Sequence, residues 1–313
     1  MAHRSPSAFT AVGIEIHDGP GRLRIAGLSS GPPTLAPDVI WLHANGFNAR
    51  TYRGMLEPLT DRLELLAIDQ RGHGGTPQGR SAAGKTDALD LRDDLLALLD
   101  VLPQDRPVIL AGHSLGGCVS LLAAARAPGR VSAIALFDPV ILPREVAERA
   151  MSGGSALSES ILVDKARGRR AGFPSRQTAF ETYQKRSIFA RWPEAALRDY
   201  IEDGFRDLPD GSVELSCAPE WEAANFAAHG HDIWSAMSRV EAPVRIWRAE
   251  HGSTCAIAQA GDFPRPAGQV EVHTVPGATH FLPIERPELV REALLALAAS
   301  TPGGRIGDRP AGC

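Results

Sequence analysis

The chain has 313 residues, 43% hydrophobic and 22% charged, with a formal net charge of −4. This composition fits a globular protein with room for a sizeable core, and no basic block marks nucleic acid or an anionic membrane as a partner. No apolar run approaches the roughly 20 residues that span a bilayer. Met1–Thr10 lacks the apolar core of a signal peptide. The cysteines Cys118, Cys217, Cys255 and Cys313 show no paired spacing, so a reduced, cytoplasmic protein is expected.

In chain order, Ala11–His17 and Arg22–Leu28 read as two strands around the turn Asp18-Gly19-Pro20-Gly21. Val39–Leu42 is a continuous apolar strand, Tyr52–Leu63 is helical, and Leu65–Asp69 is the next strand. Asp87–Leu102 places Leu91, Leu95, Leu98, Leu99 and Leu102 at helical spacing. Pro107–Ala111 is a buried strand, Gly117–Ala125 a small-residue helix ended by Pro128-Gly129, and Val131–Phe137 a strand that stops at Asp138-Pro139. Such alternation predicts an α/β domain with a mostly parallel sheet covered by helices on both faces. The alternation lapses over 141–240, which is helical and polar-aromatic and is expected to be a cap inserted into one core domain of residues 10–140 and 241–300. Strand signals return at Pro243–Trp247 and Val270–Val275, followed by a helix over Pro287–Ser300. The Gly/Pro/Arg-rich tail 301–313 is expected to be disordered.

The most informative stretch is Gly112-His113-Ser114-Leu115-Gly116, a G-x-S-x-G lying between a buried strand and a helix. A serine at the apex of that sharp turn is forced into a strained backbone conformation that lifts its hydroxyl off the sheet. The bland alternative is a glycine-rich turn. Three further motifs accompany it: His43-Ala44-Asn45-Gly46-Phe47, Asp69-Gln70-Arg71-Gly72-His73-Gly74, and Pro276-Gly277-Ala278-Thr279-His280-Phe281. In this order, over about residues 10 to 300, the chain resembles the α/β-hydrolase superfamily, whose lid sits where the 141–240 insertion falls. The resemblance implies the α/β-hydrolase fold, with a helical cap inserted into its mostly parallel sheet.

It also implies a nucleophile at Ser114 and a base at His280, because a serine hydroxyl is weak until a base takes its proton. The N–H groups of Leu115 and Asn45 are implied as the oxyanion hole, with the Asn45 side chain as an additional donor and Phe47 as a pocket wall. His113 is expected to pack, His43 to brace the oxyanion loop, and His73 to be structural. The acid departs from the common pattern. Most relatives carry it after the strand equivalent to Val244–Arg248, but here the turn reads Ala249-Glu250-His251-Gly252-Ser253-Thr254, with Glu250 as its carboxylate. Asp138 is the substitute, since some lipases and haloalkane dehalogenases place their acid at that strand end and the role depends on geometry rather than chain order. Asp138 is also readable as a cap on the start of the lid, and Glu250 stays open as the alternative acid.

Arg71 reads either as a partner for a substrate carboxylate or, more in keeping with its turn, as a structural salt bridge. His229, His231 and Asp232 (H-x-H-D) faintly resemble a metal-binding H-x-H-x-D, without further ligands at suitable spacing, so no metal and no cofactor is expected. Phe173, Phe180, Tyr183, Phe189, Trp192, Tyr200, Trp221, Phe226 and Trp234 concentrate aromatics in the insertion, some for its own core and some to wall an apolar pocket. The leading expectation is a serine hydrolase of small carboxylic esters or lactones. The alternatives are C–C bond hydrolysis or acyl transfer with the same triad, and a ligand-sensing homologue that turns over slowly. The last is favoured by the missing acid after the late strand and opposed by Asp138.

Overall fold

The computed structural model describes residues 8–32, 34–79, 87–152, 161–228, 232–264 and 269–301. Eight strands form one sheet: β1 (Thr10–Asp18), β2 (Gly21–Ser29), β3 (Val39–Leu42), β4 (Leu65–Ile68), β5 (Val108–His113), β6 (Val131–Phe137), β10 (Val244–His251) and β11 (Val270–Thr279). The order is β1-β2-β4-β3-β5-β6-β10-β11. The pairs β1/β2 and β2/β4 are antiparallel and every pair from β4 onward is parallel. The central strands β3, β4 and β5 are buried along their whole length, as sequences this apolar require when helices cover both faces.

The helices are α1 (Arg53–Leu56), α2 (Ala88–Val101), α3 (Leu115–Ala124), α4 (Arg144–Met151), α5 (Ile161–Arg167), α6 (Arg176–Gln184), α7 (Glu194–Gly204), α8 (Pro219–Ala227), α9 (Ile233–Arg239), α10 (Leu282–Glu285) and α11 (Pro287–Ser300). One face of the sheet packs α2, α3 and α9 through Leu95, Leu98, Val119, Leu122 and Met237, and the other packs α1 and α11 through Met55, Leu56, Val290 and Leu294. Helix α2 begins where its sequence dictates, because the Asp87 carboxylate accepts from the N–H groups of Leu89 and Asp90.

Two expectations needed correction. The helix foreseen over Tyr52–Leu63 is a single turn, α1, flanked by 3₁₀ turns at Ala49–Tyr52 and Glu57–Leu59. Pro58 lacks the N–H a continuing helix would use. The 141–240 segment is also not purely helical. It holds a second sheet, β7 (Gly172–Phe173), β8 (Phe205–Asp207) and β9 (Val213–Leu215), in the order β7-β9-β8, whose strands are too short to leave a periodic signal. Around it Phe173, Phe180, Tyr183, Trp192, Tyr200 and Phe205 form their own buried cluster, which meets the sheet domain at Phe47, Phe281 and Ile284. The tail 302–313, with Cys313, and the pair His229 and His231 lie outside the described residues. Asp232 caps α9 through the Ser235 N–H at 2.8 Å. Among the described residues no helix is long and apolar enough to cross a membrane.

Candidate active site

Ser114 stands between β5 and α3 with φ +56 and ψ −117, the left-handed region a non-glycine residue enters only under constraint. The flanking glycines make that turn possible. A Cβ on Gly112 would lie 2.4 Å from Gly116 backbone carbon, and one on Gly116 would lie 2.4 Å from the Leu42 carbonyl oxygen. The Ser114 N–H donates to the Phe137 carbonyl oxygen at 3.1 Å, which ties the turn to β6.

Strand register brings the other residues to the same edge. Phe137 pairs with His113 on one side and Trp247 on the other, so Asp138 emerges beside Ser114. Asp138 is itself in the left-handed region at φ +45, held by its N–H on the Trp247 carbonyl at 2.7 Å and by the Thr254 hydroxyl on its own carbonyl at 3.0 Å. His280 follows β11. Its Nδ1 lies 2.6 Å from Asp138 Oδ2 and its Nε2 lies 3.0 Å from Ser114 Oγ. An ionised carboxylate only accepts, so the neutral imidazole carries its proton on Nδ1 and presents a lone pair at Nε2 to the serine hydroxyl.

The Asp138 carboxylate is fully buried and well supplied with donors, among them the Thr254 hydroxyl 3.5 Å from Oδ2. Oδ1 takes the Ala249 N–H at 2.8 Å and the Ser253 hydroxyl at 2.5 Å, and Oδ2 takes the Thr254 N–H at 3.1 Å beside His280. Burial pushes this carboxyl up. The hydrogen bond and charge of His280, with the Ser253 and Ala249 donors, outweigh burial and hold it below the ordinary carboxylate range. Glu250, the alternative acid, is turned elsewhere: its Oε2 accepts from the Gly277 N–H at 2.8 Å and is exposed beside His251. It braces the turn that leads to His280 and has no bond to the imidazole.

The loop after β3 meets this edge opposite His280. Among the described residues the N–H of Ala44 donates to the Tyr52 hydroxyl at 3.2 Å, that of Gly46 to His73 Nε2 at 3.0 Å and that of Phe47 to the Ala44 carbonyl at 3.1 Å. The N–H of Asn45 has no acceptor among them, and that of Leu115 opens α3 and so has none within its helix. The sequence reading expects an oxyanion hole from these two N–H groups. The Asn45 side chain does not join them. Its Nδ2 donates to the Glu222 carbonyl at 2.9 Å and its Oδ1 accepts from Asn225 at 3.0 Å.

The buried imidazoles do more than pack. His113 Nε2 donates to the His280 carbonyl at 2.7 Å while its Nδ1 accepts from the Tyr52 hydroxyl at 2.7 Å, so a hydrogen-bonded chain joins the His280 loop to the Ala44 N–H. His43 accepts the Gln70 N–H at 2.9 Å. Burial pushes His43 well below its usual range, His73 to about 4 and His113 to about 3. All three are neutral at pH 7, as their mixed donor and acceptor roles require. The signal available for His113 was only its place inside the elbow; its partners come from elements 61 and 167 residues away. Arg71 is spent on structure, bonding Asp94 at 2.5 Å and Asp18 at 3.0 Å in a buried cluster.

Of the aromatics in 141–240, Trp192 packs edge-on against Phe47 at 5.4 Å and Phe281 at 5.5 Å, and Tyr200 meets Phe47 at 5.4 Å. Phe281 in turn lies 5.8 Å from His280. Phe173, Phe180 and Tyr183 belong to the buried aromatic cluster around the second sheet, Phe226 packs by α5, and Trp234 donates to the Leu142 carbonyl at 3.0 Å.

Residues 39–293 match the model of the Alpha/beta hydrolase family. The chain belongs to that family. It is 27% identical over 262 residues to 2-(acetamidomethylene)succinate hydrolase of Mesorhizobium japonicum, covering 82% of this chain and 86% of the relative. It is 34% identical over 128 residues to pimeloyl-[acyl-carrier protein] methyl ester esterase of Methylococcus capsulatus, a match that covers 41% of this chain and 46% of that one. The crystal structure of E-2-(acetamidomethylene)succinate hydrolase superposes with a TM-score of 0.72 at 24% identity, covering 93% of this chain and 100% of that one. An esterase from Mycobacterium tuberculosis gives 0.68 at 22% identity, covering 93% and 92%. At these identities the superpositions speak for the shared α/β-hydrolase fold.

Proposed function

We propose that this alpha/beta hydrolase cleaves a small carboxylic ester or lactone through an acyl-enzyme on Ser114, with His280 as base and Asp138 as the acid that orients it. The observation that carries this reading is the unbroken chain from Ser114 Oγ through His280 to Asp138, at 3.0 and 2.6 Å, set on a strained elbow. Ser114 Oγ attacks the carbonyl carbon as its proton passes to His280 Nε2. The N–H groups of Leu115 and Asn45 hold the oxyanion. Collapse expels the alkoxide, which takes the proton from His280. Water then gives a proton to His280, attacks the acyl carbon, and regenerates Ser114 with release of the acid.

In this reading residues 141–240 form the cap over a core of 10–140 and 241–300, with the aromatic side of the cap near Phe47, Trp192 and Phe281 walling an apolar substrate. Helix α9, at the end of that segment, packs into the core cluster rather than the aromatic one. Arg169, a half-buried cation beside Gly46 of that loop, is bound to Glu222, Tyr183 and Tyr200, which argues for neutral substrates over the succinate named in the Mesorhizobium relative. A ligand sensor loses its main support, because the acid absent after β10 has a substitute at Asp138 in contact with His280. C–C cleavage and acyl transfer need the same residues and are separated from ester hydrolysis by product analysis.

The test is turnover of p-nitrophenyl esters from acetate to decanoate beside Ser114→Ala. Wild-type hydrolysis that Ser114→Ala lowers at least about 10⁴-fold is the expected result. A wild type inert on all esters and lactones, or a Ser114→Ala protein as active as wild type, overturns it.

A further inference from the structure

One side of the oxyanion loop is built by the insertion. Gly46 is in the left-handed region at φ +74, and a Cβ there would lie 2.5 Å from Glu222 Oε1 and 3.2 Å from Arg169 Nη1. The Glu222–Arg169 ion pair is thus seated directly on the loop backbone. Helix α8 supplies three further anchors. The Glu222 carbonyl accepts Asn45 Nδ2, Asn225 Nδ2 donates to Asn45 Oδ1, and Trp221 Nε1 donates to the Arg71 carbonyl at 3.1 Å.

His73 Nε2 also lies 3.3 Å from Asn45 Oδ1, but it gives that oxygen no proton. Its Nδ1 faces the Arg71 carbonyl at 3.0 Å, which takes the ring proton, and its Nε2 accepts the Gly46 N–H. Among the described residues Asn45 Oδ1 therefore has one donor, Asn225, and that donor belongs to the insertion. Asn225 is 3% exposed, so water does not replace it readily. The backbone N–H of the same Asn45 has no acceptor among the described residues.

We propose that α8 sets the second oxyanion donor: Asn225 clamps the Asn45 side chain and thereby aims the Asn45 backbone N–H, so the oxyanion hole is complete only when the cap helix is seated. Asn225 is a positioning residue, and the inference rests on the serine-hydrolase reading above. It makes the cap part of the rate, beyond any role in choosing the substrate.

The test uses the full chain with Asn225→Asp, which keeps the shape but replaces the donor with an acceptor, and Asn225→Leu, which removes both. Each is compared with wild type for kcat and KM on the best ester, for inhibition by a trifluoromethyl ketone whose adduct bears an oxyanion, and by the matching methyl ketone. Thermal midpoints identify a variant that fails to fold, and the other variant then carries the comparison. Expected are a kcat about 10- to 100-fold lower, KM within about twofold, a parallel loss of trifluoromethyl ketone affinity, and unchanged methyl ketone binding. Unchanged kcat, or a loss confined to KM with both ketones weakened equally, overturns the proposal. If wild type itself is not labelled on Ser114 by a fluorophosphonate, the serine-hydrolase reading fails and this inference with it. Normal labelling with wild-type kinetics in both variants fails the inference alone.

Discussion

The ends of β6 and β10 lie side by side and contribute opposite things to one carboxylate. The β6 end carries the acid, Asp138, on a left-handed backbone. The β10 end, where the superfamily resemblance directs attention, carries Gly252 and Ser253 and supplies donors: the N–H groups of Ala249 and Thr254 and the Ser253 hydroxyl all point at Asp138. One strand end gives the carboxylate beside His280 and the other gives its hydrogen bonds. Parallel neighbours in register make this sharing possible, because Phe137 and Trp247 pair directly and the next residues share one edge. An imidazole needs an acceptor at a given place and is indifferent to the strand that delivers it.

The largest effect that bears on this comparison is expected from Asp138→Asn. Its amide offers His280 the wrong hydrogen-bond partner, and kcat should fall about 10³- to 10⁴-fold. Glu250→Gln at the β10 end should change kcat less than about threefold, since among the described residues Glu250 bonds Gly277 and His251 and not His280. Equal losses in the two variants would break the comparison. A double variant, Asp138→Asn with Ser253→Asp, returns a carboxylate to the β10 end within reach of the same spot, because Ser253 Oγ is now 2.5 Å from Asp138 Oδ1. Steady-state kinetics should show it about 10-fold above Asp138→Asn alone. No recovery would mean that the β6 backbone, with its strain, is needed to aim the acid.

Much of this was legible in the sequence for a physical reason. Ser114, His280 and the two strand ends are local features: a glycine-flanked turn after an apolar strand, and loops that begin where β periodicity stops. Asp138 was visible because the resemblance implies an acid at the strand end, as in some lipases and haloalkane dehalogenases, and Phe137-Asp138-Pro139 ends a buried run there with a carboxylate. What stayed hidden depends on contacts distant in the chain. Nothing around His113 announces a bond to the His280 carbonyl, and nothing in Pro219–Ala227 announces a clamp on Asn45, 180 residues earlier. The strands β7, β8 and β9 were missed because two or three residues cannot display a period.

The finest division of labour is tested at Ser253. Its hydroxyl gives Asp138 Oδ1 a 2.5 Å hydrogen bond and is among the groups that hold that carboxyl below its ordinary value against the opposing push of burial. A carboxyl whose folded-state pKa lies below its unfolded value contributes stability that is present above the unfolded value of about 4 and lost as pH falls through the folded one. Ser253→Ala removes one stabilising donor and raises the folded pKa. It should therefore lower stability at pH 7 by about 1 kcal/mol and shift the acid unfolding limb toward higher pH. Ala249, Thr254 and His280 remain, so kcat at neutral pH should fall less than about 10-fold. Urea unfolding from pH 3 to pH 7 measures the first and ester turnover the second. A Ser253→Ala protein with wild-type stability across that range would show that His280, Ala249 and Thr254 hold the carboxylate without the Ser253 hydroxyl.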